Sequence, residues 1–207
     1  DLKGRNIENI VALRGDPPKG EVTFQPAPNG FRYASELVNF IRRHPVFGKA
    51  FSLAVAGYPE THIECRDKIK DLEHLKHKVD QGADVVITQL FFSNHEYFDF
   101  VERSLKAGIK IPIVPGIMPV TNGAHIRRFA EICGVGSSPV MRENIQRCGE
   151  NQAGIEAYGI EYATAQCSEL LQNGAPGLHF YTLNKSRATR EIYINLGLGE
   201  RTVKDSF

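Results

Sequence analysis

One pattern recurs along the chain: a short β-branched run, a polar turn, then a stretch with apolar residues at helical spacing. Asn9 to Arg14 reads as a strand running into the turn Gly15-Asp16-Pro17-Pro18, and Tyr33, Leu37, Val38 and Ile41 then form the stripe of an amphipathic helix. Phe51 to Ala56 is a second strand closed by Gly57-Tyr58-Pro59, followed by a helix carrying Leu72, Leu75 and Val79 that ends at Gly82. Val85 to Phe92 and Glu96 to Lys106 make the third strand and helix. Ile111 to Val114 is the fourth strand, with Pro115 expected to end it because proline cannot donate to a central ladder. Helical spacing returns at Ala124 to Ile132 and from about Ile155 to Leu171. Leu178 to Leu183 is the fifth strand and Ala188 to Leu196 the last helix, while Gly134 to Asn151 has mixed character and receives no assignment.

Strands apolar on both faces and alternating with helices imply a parallel sheet covered by helices. Two architectures satisfy this, a barrel and an open doubly wound sheet. Asp16, Tyr58, Gln89, Asn184 and Lys185 cluster at C-terminal strand ends, which is where both architectures build their sites. Five strands do not close an eight-stranded barrel, which usually takes about 250 residues.

Composition narrows the classes. A net charge of +1 over 207 residues, with basic residues scattered, disfavours a nucleic-acid surface. The four cysteines form no C-x-x-C pair, and a chain of this size needs no disulfide staples, so a reducing cytoplasm is expected. No apolar run approaches the roughly 20 residues of a membrane span.

Familiar chemical signatures are missing. Gly134-Val135-Gly136 and Gly197-Leu198-Gly199 follow helices, whereas a dinucleotide fingerprint leaves a strand and opens a helix. There is no P-loop, no H-E-x-x-H and no G-x-S-x-G. The seven histidines show no recognisable ligand spacing with cysteines or carboxylates, so no metal is expected. What stands out is polar residues in apolar surroundings. Asp16 ends a strand, either to cap its turn or to face a site. Gln89 interrupts Val85-Val86-Ile87-Thr88, and a buried amide left unbonded costs about 1–3 kcal/mol, so it needs a ligand or a neighbour. Asp71, His74 and Lys78 share one helical face, as a solvated ion-pairing surface or a binding one. His62 lies in the loop after a strand.

Five segments, Ala12-Leu13-Arg14-Gly15-Asp16-Pro17, Gly57-Tyr58-Pro59-Glu60, Ile87-Thr88-Gln89-Leu90-Phe91-Phe92, Pro115-Gly116-Ile117-Met118-Pro119 and Gly177-Leu178-His179-Phe180-Tyr181-Thr182-Leu183-Asn184, together resemble methylenetetrahydrofolate reductase in order and spacing. The resemblance implies a (β/α)8 TIM barrel binding FAD without a dinucleotide fold, with residues 1–207 one catalytic barrel domain. The five strands would be the fourth to eighth; the first three, with the family's general-acid glutamate, would precede Asp1. It implies reduction of 5,10-methylenetetrahydrofolate by NAD(P)H through FAD in two alternating hydride transfers, a cytoplasmic reaction of one-carbon metabolism and methionine biosynthesis, in a homo-oligomer.

Residue by residue, the resemblance assigns Arg14, Gly15, Asp16, Tyr33, Ala34, Tyr58, His62, Ile63, Glu64, Cys65, Asp71 and Lys78 to FAD, with Asp16 also catalytic. Gln89, Tyr181 and Lys185 are assigned to the folate, Lys185 standing where arginine is usual. Phe129 falls where some members stack on the nicotinamide nucleotide. Two other readings stand beside this one: a flavin-free barrel lyase or isomerase, and a non-catalytic remnant of the reductase.

Overall fold

A computed structural model describes residues 2–18, 20–21, 23–123, 132–136 and 138–199. Its centre is a five-stranded parallel sheet: β1 Asn9–Ala12, β2 Ser52–Gly57, β3 Val85–Leu90, β4 Ile113–Ile117 and β5 His179–Phe180. The strands lie side by side in chain order. An open doubly wound sheet reverses its order at a switch point; this one does not, and the arrangement is that of one arc of a barrel. Among the described residues it does not close, so a full eight-stranded barrel is not what this structure contains.

Parallel neighbours need a crossover, and the described connections supply helices α1 Ala34–Arg43, α2 Lys68–Asp80, α3 Asn94–Lys106, α4 Pro139–Cys148, α5 Gln152–Gln172 and α6 Arg187–Asn195. The mixed Gly134–Asn151 stretch thus contains α4, whose start is set by Ser138, accepting from the Met141 N–H at 3.0 Å, and by Pro139 in its first turn. Most of the Ala124 to Ile132 helix expected from the pattern lies outside the described residues.

The sheet has a covered and an open face. Ala12, Leu53, Val55 and Val86 are fully buried, in one cluster with Val38 of α1, Leu75 of α2, Phe100 of α3, Leu170 of α5 and Ile192 of α6. The alternate positions are wetter: Val11 is 49% and Leu13 56% exposed beside Ala12 at 0%. By the two-residue period of a strand, Ala54 and Ala56 on β2 and Val85, Ile87 and Gln89 on β3 share that second face, all only partly buried. Apolar alternation on both faces therefore does not mean helices on both faces here.

The fourth strand departs from expectation. It runs through Pro115, although β4 pairs on both sides. A bulge explains this: the β3–β4 register shifts between Ile87 and Leu90, so the ladder is interrupted where Pro115 has no N–H to give. The Thr88 hydroxyl accepts from the Gly116 N–H at 2.8 Å, and the freed Leu90 N–H donates to Gln89 Oε1 at 2.9 Å. The fifth strand is shorter than its apolar run, at two residues, both partly buried.

Candidate functional site

The C-terminal ends of the strands bring most of the singled-out residues to one rim. After β1, Arg14 reaches the loop after β2 and donates to both carboxylate oxygens of Glu64, at 2.7 and 2.9 Å, while lying 5.0 Å from the centre of the Phe24 ring. Gly15 supplies the left-handed φ of +84° that turns the chain, and nothing lies within 4 Å of where its side chain would begin. That leaves the exposed Asp16 on the same rim. Its field reaches Arg14, Tyr58, His62 and Cys133.

Tyr58 is the next residue on the open face beyond Ala56. Its ring meets His62 edge-on at 4.6 Å, with the Lys78 ammonium 5.6 Å from the ring centre. Burial pushes the Tyr58 hydroxyl up to about 12, with the charge of Asp71 adding to it. His62 is held by a small turn: it bridges to Cys65, whose N–H donates to the His62 carbonyl at 2.9 Å, and His62 Nδ1 accepts from the Glu64 N–H at 3.0 Å. Nδ1 is therefore the unprotonated nitrogen, and burial lowers the imidazole's proton affinity further. Ile63 is exposed, and Cys65 half-buried, in the same turn.

Helix α2 starts at Asp67, whose carboxylate accepts from the Ile69 and Lys70 N–H groups at 2.9 and 3.1 Å. That start fixes the face carrying Asp71, His74 and Lys78. Asp71 is only 8% exposed. Burial raises its carboxyl, opposed by Lys78 and by a hydrogen bond from the His62 backbone. Lys78 donates to the Ala56 carbonyl at the end of β2, and burial lowers its ammonium to about 8. The face is solvated only in part: Asp71 is buried and Lys78 half-buried, while His74 is exposed. It also gathers Cys65, Asp71 and His74, whose ligand atoms lie within 4.8 Å of one another. The histidine spacing gave no sign of this cluster: Asp71 and His74 lie a helical turn apart, but only the fold brings Cys65 to them.

Gln89 sits in the bulge, on the open face. Its oxygen is used by the Leu90 N–H, so the amide nitrogen is the side that remains to donate outward. Tyr181 follows β5 and donates to the Thr88 carbonyl at 2.8 Å, with burial raising its hydroxyl to about 12. Lys185 is exposed and lines a cleft with Met118, Asn122 and Leu183. Tyr33, at the N-cap of α1, is 54% exposed. Among the described residues no side-chain bond or ring contact joins Tyr33 or Ala34 to the Tyr58 cluster. Phe129 lies outside the described residues.

Three contributors escaped the sequence reading. Glu60 accepts from the Gly136 N–H at 2.7 Å and Arg66 donates to the Gly134 carbonyl at 3.4 Å, tying the chain after β4 to the loop after β2. This brings Cys133 within the field of Asp16 and Tyr181. Glu60 could have been flagged as a loop carboxylate beside Pro59. Arg66 and Cys133 carry no local signal.

A family model described as methylenetetrahydrofolate reductase matches residues 1–197. Methylenetetrahydrofolate reductase (NADH) 1 of Arabidopsis thaliana is 38% identical over 206 residues, 95% of this chain and 34% of its own length. The 5,10-methylenetetrahydrofolate reductase of Escherichia coli (strain K12) is 35% identical over 198 residues, 96% of this chain and 64% of its own. The chain thus spans about a third of the plant relative. A solved structure, an uncharacterized protein from Clostridium thermocellum that binds two copies of 5-methyl-5,6,7,8-tetrahydrofolic acid, superposes with a TM-score of 0.57 at 14% identity, covering 92% of this chain and 72% of that one. At that identity the likeness speaks for the fold alone. Among the described residues no helix is long and apolar enough to cross a membrane.

Proposed function

Because the chain belongs to the methylenetetrahydrofolate reductase family, we propose that it carries out the reduction of 5,10-methylenetetrahydrofolate to 5-methyltetrahydrofolate with electrons from NAD(P)H, through bound FAD. The five strands are then one arc of a (β/α)8 barrel whose mouth is the rim of Asp16, Tyr58, Gln89 and Tyr181. The observation that carries this reading is the Asp16 carboxylate, set by Gly15 on the same rim as Tyr58 and within the field of His62.

The donor set fits a flavin nucleotide. Open space flanks the Gly15 backbone, where a close-lying planar ring would need it. Lys78 and His62 offer cationic or N–H donors to phosphate, while Asp71 and Glu64 offer acceptors to ribityl or ribose hydroxyls. Arg14, Tyr58, Ile63 and Cys65 complete this cradle; Tyr33 and Ala34 are assigned to FAD by the family resemblance alone. When bound, FAD supplies the hydride relay between the two substrates.

The protein's own groups bind and polarise. Gln89 donates its amide N–H to the pterin of the folate, its oxygen being taken by the Leu90 N–H. Tyr181 walls the folate subsite, and Lys185 offers a point charge to its glutamate carboxylates, without the planar fork of an arginine. Positive charge develops on the folate as its methylene bridge opens. Asp16 stabilises that charge, an interaction stronger in the transition state than in the ground state.

A visible spectrum tests this reading directly. Protein purified with added FAD and freed of excess is expected to be yellow and to bleach anaerobically with NADH or NADPH. A colourless protein that takes up no flavin would remove the cofactor and the function with it.

A further inference from the structure

We infer that Cys65, Asp71 and His74 form a binding site for a zinc-class divalent cation in the flavin-free protein. The inference needs only these side chains and does not rest on the flavin reading, although Cys65 and Asp71 also belong to the proposed cradle. Three observations carry it. First, the Sγ, carboxylate oxygen and imidazole nitrogen lie within 4.8 Å of one another. Zinc bonds of about 2.0–2.3 Å in a tetrahedron space such ligands roughly 3.4–3.7 Å apart. Closing the remainder takes a rotamer adjustment, which the exposed His74 is free to make.

Second, the scaffold is built rather than adventitious. Asp71 and His74 are one turn apart on α2, whose start is fixed by the Asp67 cap. Cys65 is delivered by the His62–Cys65 bridge, and the His62 backbone also hydrogen-bonds the Asp71 carboxylate. Third, the buried Asp71 lacks a salt-bridge partner among the described residues. Three cationic groups favour its charge: Lys78, which also serves the Ala56 carbonyl, Arg103, which serves Asp99 and Pro59, and His74, the third residue of the cluster. A buried carboxylate without a paired cation is costly, and a bound metal would relieve that cost.

The mixed sulfur, nitrogen and oxygen set selects a borderline ion such as Zn2+ or Co2+ over Mg2+ or Ca2+, which take oxygen ligands. Three protein ligands leave a fourth position for water. Binding displaces the Cys65 thiol proton to solvent, with no change of oxidation state.

The test uses the reduced protein, stripped of flavin and metal, titrated with Co2+ and with Zn2+ against a chromophoric chelator. One equivalent should bind, with the thiolate-to-cobalt charge-transfer absorption in the near ultraviolet. Cys65→Ser should abolish that absorption. His74→Ala, an exposed position that leaves folding intact by circular dichroism, should weaken zinc binding at least tenfold. Absence of the charge-transfer band overturns the site. So does a band unaffected by Cys65→Ser, which would assign it to Cys133 or Cys148, or zinc affinity unchanged in His74→Ala.

Discussion

The Tyr181 hydroxyl donates to the Thr88 carbonyl at 2.8 Å by crossing β4 where Gly116 has no side chain. A Cβ at Gly116 would stand 2.7 Å from the Tyr181 ring and 2.2 Å from the Thr88 oxygen. The ring could swing aside, but the backbone oxygen belongs to β3 and cannot.

Gly116→Ala is therefore expected to destabilise the fold by about 1–3 kcal/mol, the usual cost of forcing extra atoms into a packed site. Urea denaturation followed by far-ultraviolet circular dichroism reads this out. A midpoint equal to that of the parent would mean that β4 and Tyr181 do not lie as described.

Burial holds the Lys78 ammonium at about 8, below its ordinary 10.5. Between those values the unfolded chain binds more protons at this group than the folded one, so its penalty to folding fades as pH rises through that window. Tyr58, Tyr97, Tyr181 and Cys167, all raised to about 12, act in the opposite sense, and only once their unfolded counterparts ionise, from about pH 8 upward for the thiol and about pH 9 for the phenols. Comparing the parent with Lys78→Met cancels these shared terms. From pH 7.5 to 9 the parent is expected to gain stability relative to the variant. Parallel pH profiles would show that the ammonium is not desolvated.

Gln89 owes its orientation to the bulge at Pro115 and to the Leu90 N–H. Gln89→Ala removes the outward amide and leaves a backbone donor unsatisfied. The folate KM should rise by roughly tenfold, the loss of one hydrogen bond of about 1–1.5 kcal/mol, with flavin content unchanged. Flavin loss in place of a KM effect would assign Gln89 to the cofactor.

Much of this arrangement was legible in the chain, for identifiable reasons. The alternation of β-branched runs with helical stripes gave the parallel α/β class, and glycine and polar punctuation marked where strands end. Topology was not: apolar periodicity is the same for a barrel arc and an open sheet, and only pairing order separates them. The reading of Pro115 as a strand terminus failed because a proline's missing donor matters only where the ladder is intact, and the register shift at Ile87 to Leu90 is a property of two strands. Helix α4 was obscured by its weak apolar content, with Met141 its one buried residue. Helical spacing put Asp71 and His74 on one face, but no helical or strand spacing brings Cys65 to them or Arg14 to Glu64.

Half-reactions measured separately by anaerobic stopped flow show what the Asp16 carboxylate does. In Asp16→Asn, oxidation of reduced flavin by methylenetetrahydrofolate should slow by about 100-fold or more, the scale of removing one aligned electrostatic group, while flavin reduction by NAD(P)H changes by no more than a few-fold. Equal losses in the two half-reactions would contradict the assignment of position 16 to the folate's developing charge.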